Sequence, residues 1–284
     1  MTTKPARIVD CHVHLWDPAR TDWYPYLSGR QQLNMVDTKG MERLFNAEIY
    51  KAESPDWNVV ALVNVAAATG VHSVAETLAI DQRGEVAAIV GGLPPTESTA
   101  APIELLDAQM EATRFRGVRP MGQFKEPLPE RDVLRALAER NLVFDLMART
   151  EQLEVAAAGL SAHPDLAVVV EHTGWPRTGT DEEFVGWKRG IDALAAVGDN
   201  VTCKLSGLAM PLGSMAPDTL RPWVEYAIGA FGVHRCMFAS NFPVDGMHGT
   251  LDELFTSFTE LTEGLSTEDR DALFAANAER VYRI

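Results

Sequence analysis

Short apolar, β-branched runs recur along the chain, separated by stretches whose apolar positions follow helical spacing. The runs predict strands at 7–14 (RIVDCHVH), 58–66, 85–92, 115–120, 141–147, 166–172, 200–206 and 235–241. Helices are expected between them, for example at 129–140, where Val133, Leu134 and Leu137 share a face and Pro129 suits a first turn, and at 183–197. The strands are almost continuously apolar rather than alternating. That is the pattern of a parallel sheet whose outer face is covered by helices. Eight such units in 284 residues predict an α/β fold, a (β/α)8 TIM barrel forming a single domain over 1–284. A doubly wound open sheet competes, but Leu15-Trp16-Asp17-Pro18 follows the first strand, with no glycines to cradle a pyrophosphate.

In a barrel, chemistry belongs at the carboxyl ends of the strands. The predicted ends carry His12 and His14, Arg119, Asp145, Glu171 and His172, Lys204 and Ser206, and Asn241, with Asp245 just beyond. Of seven histidines, His12, His14 and His172 fall at strand ends, whereas His72, His163, His234 and His248 lie in helix or loop context. On a regular strand His12 and His14 project from one face with Asp10 in line beneath them, and Glu171 points away from His172 into a buried ion pair. Neutral imidazoles are ready ligands, and three of them leave an open position for water or substrate. Arg119 and Lys204 are expected either to pair with Asp145 or Glu171, or to hold a substrate's charged end; Ser206 shares the Lys204 face. Trp16, Trp23, Tyr24 and Tyr26 crowd the first loop, where they line a pocket or pack the loop onto the rim.

Composition narrows the partners. With 25 Lys and Arg against 40 Asp and Glu, the formal charge is −15 and no basic run exists, which argues against nucleic acid. No stretch has the length of a signal peptide or a membrane span. The odd, scattered Cys11, Cys203 and Cys236 read as reduced thiols of a cytoplasmic protein. A small-molecule substrate is expected, and a homo-oligomer stays open. No GxSxG elbow is present, which disfavours serine-nucleophile hydrolysis.

Four stretches together, IVDCHVHLW, EHTGWP, VTCKLSGL and RCMFASNFPVD, resemble the amidohydrolase-2 branch of the amidohydrolase superfamily, and the closing ANAERVYRI is similar to its common ending. The resemblance spans nearly the whole chain. It implies a distorted barrel that hydrolyses a small lactone, the cyclic ester of a sugar acid or of an aromatic-breakdown product. It also implies a divalent metal, zinc being the expected ion, on His12, His14 and His172. Two positions depart from that pattern: strand five offers Asp145 and Met147 but no histidine, and strand eight has Asn241 where many members carry an aspartate. An amide is no base near neutral pH. Asn241 would therefore orient the water or ligate through its carbonyl, and Asp245 or Asp145 would take its proton. Arg119, Lys204, Ser206 and Trp16 would contact the substrate. Some lactonases of the branch work without metal, which leaves a metal-free version open. The rival readings are a metal-dependent decarboxylase of a small aromatic acid on the same scaffold and a non-catalytic binding homologue.

Overall fold

The computed structural model describes residues 3–28, 40–94, 100–120 and 126–284. Eight parallel strands run in the order of the chain: β1 (Ile8–Val13), β2 (Val59–Val65), β3 (Ala88–Leu93), β4 (Phe115–Pro120), β5 (Val143–Leu146), β6 (Val168–Val170), β7 (Val201–Leu205) and β8 (Cys236–Phe238). A parallel bridge from Val13 to Phe242 joins the last segment to the first. Two backbone bonds reinforce this seam: Asn241 N donates to His12 O at 2.9 Å, and His14 N donates to Phe242 O at 2.9 Å. The result is the (β/α)8 barrel that the apolar runs predict.

Helices α1 (Ala47–Glu53), α2 (Ser73–Arg83), α3 (Ala100–Gln109), α4 (Arg131–Glu139), α5 (Leu153–Leu160), α6 (Asp181–Ala195), α7 (Ala209–Leu212), α8 (Pro217–Phe231), α9 (Leu251–Leu261), α10 (Thr267–Asp271) and α11 (Asn277–Tyr282) accompany the strands. None among the described residues is long and apolar enough to cross a membrane. The face of α4 that is legible in sequence is the one it buries: Val133, Leu134 and Leu137 are all enclosed. Burying each such side chain contributes about 1.5–3 kcal/mol, so the face outweighs the modest helix propensity of nine residues.

Two apolar clusters follow from strand alternation. Phe144, Leu146, Val168 and Val170 join the large cluster between sheet and helices. Val143, Val169, Met237 and Ala239 join a smaller one that also contains Tyr282 of α11. Tyr282 is fully buried and donates to both oxygens of Asp145, at 3.1 and 3.0 Å. Inside this second cluster the barrel is therefore not wholly apolar. Its charges are matched, since Lys204 Nζ donates to Asp145 Oδ2 at 2.6 Å with both side chains sealed from solvent. The three cysteines are free and buried.

Candidate active site

The strand ends do not stay regular, and the irregularities build the site. In β1 the register against β2 shifts between Asp10 and Val13. Such a bulge breaks the alternation of faces. Asp10 consequently does not lie in line beneath the two histidines, as a regular strand predicts. Its Oδ2 accepts from Tyr50 of α1 at 2.6 Å, and its Oδ1 accepts from Ser240 N at 2.9 Å. It supports the β1–β8 seam rather than an imidazole ring.

At β6 the strand stops at Val170, and His172 and Thr173 take left-handed backbone conformations, with φ of 50° and 55°. This turn corrects a second expectation. A regular strand would send Glu171 and His172 to opposite sides, whereas the turn brings a Glu171 oxygen and a ring nitrogen from each of His12 and His172 within 4.8 Å of one another. Glu171 nevertheless keeps the expected ion pair, with Arg119 Nη1 at 3.5 Å from its Oε2. The turn also needs Gly207. A Cβ there would sit 2.5 Å from His172 Nδ1, and its φ of 66° suits glycine.

Three imidazoles converge. The His12 and His14 Nε2 atoms are 3.3 Å apart, and the His12 and His172 ring centroids are 4.5 Å apart. His14 Nδ1 lies 2.8 Å from Val65 O. A carbonyl can only accept, so that nitrogen carries the proton and Nε2 presents its lone pair inward. His172 Nδ1 meets Ser206 Oγ at 3.1 Å. All three rings are buried. Burial first, then the neighbouring His172 ring and the Lys204 cation, holds His12 well below the usual histidine range. Burial and Arg119 push His14 down to about 3, and the same causes depress His172. The rings are therefore neutral and free to donate electron pairs.

Anionic groups face them. Glu171 Oε1 lies 3.5 Å from His12 Nδ1 and has no hydrogen-bond partner among the described residues, although it is fully enclosed. Burial outweighs its cationic neighbours and pushes Glu171 up to about 7. Neutral imidazoles beside an orphaned carboxylate oxygen form a donor set that a divalent cation would satisfy. At the β8 end, Asn241 adopts φ of 57°, a conformation that asparagine tolerates. Its Nδ2 donates to Asp245 Oδ1 at 2.8 Å. Burial pushes Asp245 up to about 7.

The remaining sequence candidates fall at different depths. Arg119 keeps its side chain 11% exposed; Nη2 donates to Ala66 O at 2.7 Å, and Nε is enclosed without a partner. Lys204 is fully buried, with Nζ 3.5 Å from His12 Nδ1. Burial works against its charge, but Asp145 and Glu171 outweigh that and hold its pKa above the ordinary lysine value. Asp145 has both oxygens committed to Lys204 and Tyr282. Trp16 lies parallel to His14, with centroids 5.8 Å apart, and its Nε1 donates to Arg43 O. Sequence reasoning ranked Glu171 too low as a member of this group and gave Tyr282 no role. The Gly174-Trp175-Pro176 turn so close behind was the available sign that the strand ends before His172.

Comparison with known proteins adds a lineage to this geometry. The family pattern described as "Amidohydrolase" (Amidohydro_2) matches residues 9–284. An uncharacterized protein, y4mH, from Sinorhizobium fredii is 34% identical over 98% of both chains. An L-fucono-1,5-lactonase from Burkholderia multivorans is 27% identical, covering 97% of this chain and 96% of its own. Among solved structures, an amidohydrolase from Burkholderia multivorans with bound zinc superposes with a TM-score of 0.78 at 24% identity, over 98% of this chain and all of the other.

Proposed function

The chain belongs to the amidohydrolase family, and from that premise we propose that it is a hydrolase that opens a small lactone with an activated water. One observation carries the reading: the neutral imidazoles of His12 and His172 converge on a buried carboxylate oxygen of Glu171 that has no partner among the described residues, with His14 against His12 and an Asn241–Asp245 pair at the β8 end. The curated lactonase relative and the zinc-bearing neighbour support it.

In this reading His12, His14 and His172 hold a divalent ion, zinc by preference, with Glu171 beside them. Bound there, such an ion supplies Lewis-acid polarisation of the lactone carbonyl and makes water more acidic. Asn241 orients the attacking water through its amide. Asp245, with its pKa near neutrality, accepts the water's proton. The water oxygen bonds to the carbonyl carbon, the ring C–O bond breaks, and the proton passes to the leaving oxygen, giving a hydroxy acid. Asp145 is less suited to that role because Lys204 and Tyr282 occupy both its oxygens. Lys204 places its charge beneath His12, while Arg119, partly exposed and incompletely paired, grips the substrate's anionic end. Ser206 keeps His172 in orientation, and Trp16 backs His14.

The test is a panel of sugar-acid and aromatic-derived lactones, followed with a pH indicator. Acid release by the wild type, lost in His12→Ala/His14→Ala, is the expected result. Equal rates for the two proteins across the panel would sink the reading.

A further inference from the structure

Glu76 lies on α2, outside the histidine cluster, and is almost completely buried. A lone buried carboxylate is costly unless hydrogen bonds surround it. Here they do. Its Oε1 accepts from Tyr24 Oη at 2.9 Å and from Ala68 N at 3.0 Å, and Ala67 N reaches both carboxylate oxygens at 3.1 Å. These amides belong to two consecutive peptide groups just past β2. The opposite end of each group is also held. In the first, the Ala66 carbonyl accepts from Arg119 Nη2 at 2.7 Å; in the second, the Ala67 carbonyl accepts from Tyr26 Oη at 2.9 Å. Ala66 N is tied in turn to Val90 O at 2.8 Å.

A peptide plane is rigid, so anchoring its N–H fixes the direction of its C=O. Hydrogen bonds at the two ends of one amide also polarise each other. Among the described residues Arg119 has no other partner as close, since its contact with Glu171 is 3.5 Å and its Nε is unpaired. The Ala66 carbonyl therefore sets where the guanidinium points, and Glu76 sets where that carbonyl points.

We propose that Glu76 is a positioning residue that acts through the peptide between Ala66 and Ala67 to hold Arg119 in the orientation that receives a substrate carboxylate. The proposal rests on the lactone-hydrolysing reading for its substrate, and its effect is selective. A structural defect lowers the amount of working enzyme and reduces turnover of every substrate alike. A loosened Arg119 weakens only the grip on an anion.

The variant is Glu76→Gln, which keeps the shape but replaces one acceptor oxygen with an NH2 group that faces backbone donors. It is compared with wild type on glucaro-1,4-lactone, which carries a free carboxylate, and on glucono-1,5-lactone, which does not. The expected result is a KM raised roughly tenfold for the charged lactone, with kcat and the KM of the neutral lactone within about twofold. A proportional fall in kcat on both, or no change on either, overturns the proposal. Should Glu76→Gln fail to fold, Tyr26→Phe frees the neighbouring carbonyl and is expected to raise the charged-lactone KM about threefold on the same pattern; equal KM values for it and wild type overturn the proposal. A wild type inert toward both lactones would count against the lactone reading. In that case a crystal structure of whichever variant folds decides: Arg119 shifted off the Ala66 carbonyl supports the proposal, and Arg119 unmoved on it overturns it.

Discussion

The two ends of the barrel treat buried polar groups differently. At the amino-terminal end and in the interior most are matched, although Arg270 Nε is enclosed there without a hydrogen-bond partner among the described residues. Arg7 pairs with Asp271 and Glu279, Asn277 Nδ2 donates to the carbonyls of Val233 and Cys236, and Asp145 is shared between Lys204 and Tyr282. At the carboxyl end Glu171 Oε1 and Arg119 Nε have no partner among the described residues, and His172, Thr173, Trp175 and Asn241 hold left-handed backbones there, against Asn141 and Arg283 at the other end. Satisfied polar groups contribute to stability, and unsatisfied ones reduce it. The contrast teaches that most of that cost falls at the end where the proposed site lies.

Perturbing the two ends should therefore give opposite signatures, and the largest effect belongs to the histidines. His12→Ala/His14→Ala should cut lactone turnover by about a thousandfold or more, while calorimetry finds Tm unchanged or slightly raised. A large loss of Tm would mean that the rings serve the fold. Next is Asp245→Asn, expected to lower kcat about a hundredfold. Burial raises the Asp245 pKa, so the base is protonated at low pH and wild-type kcat should climb as pH passes about 7. That ascending limb should vanish in the variant, and its persistence would assign the proton to another group.

At the matched end the signs reverse. Tyr282→Phe keeps the packing but removes a donor from buried Asp145, at a cost of about 1–3 kcal/mol in a denaturant titration. Turnover per folded molecule should stay within about threefold. The smallest effect is expected at Asp81, at the end of α2. Partial burial raises its pKa, but the backbone amides of Arg114 and Thr113 outweigh that and hold it low. A depressed carboxylate stabilises the fold above its unfolded value and loses that contribution as pH falls through its folded value. Asp81→Asn should cost about 1 kcal/mol at pH 7, and the gap from wild type should close below about pH 4. A gap that widens in acid would reverse the assignment.

The barrel was legible because its physics is periodic. Apolar runs of strand length recur with amphipathic helices between them, and nothing local contradicts that order. The histidine trio was legible because HxH and EHTG sit where two runs stop. What could not be read was how each strand ends. The β1 bulge that diverts Asp10 and the left-handed turn that brings Glu171 and His172 together depend on contacts from β7 and β8, such as the space left by Gly207. Likewise, the sequence left Lys204 and Arg119 as equal candidates for an anion. Burial separates them, because Lys204 is fully enclosed, paired with Asp145, which Tyr282, far along the chain, also holds, while Arg119 keeps an edge in water.

The seam between Val13 and Phe242 gives this division a topological side. His12 and Asn241 are carried on segments from opposite ends of the polypeptide and are joined by a backbone bond across that seam. Because His12 and His14 ride on the first strand and Asn241 and Asp245 follow the last, the proposed site is put together only by the contact that closes the ring.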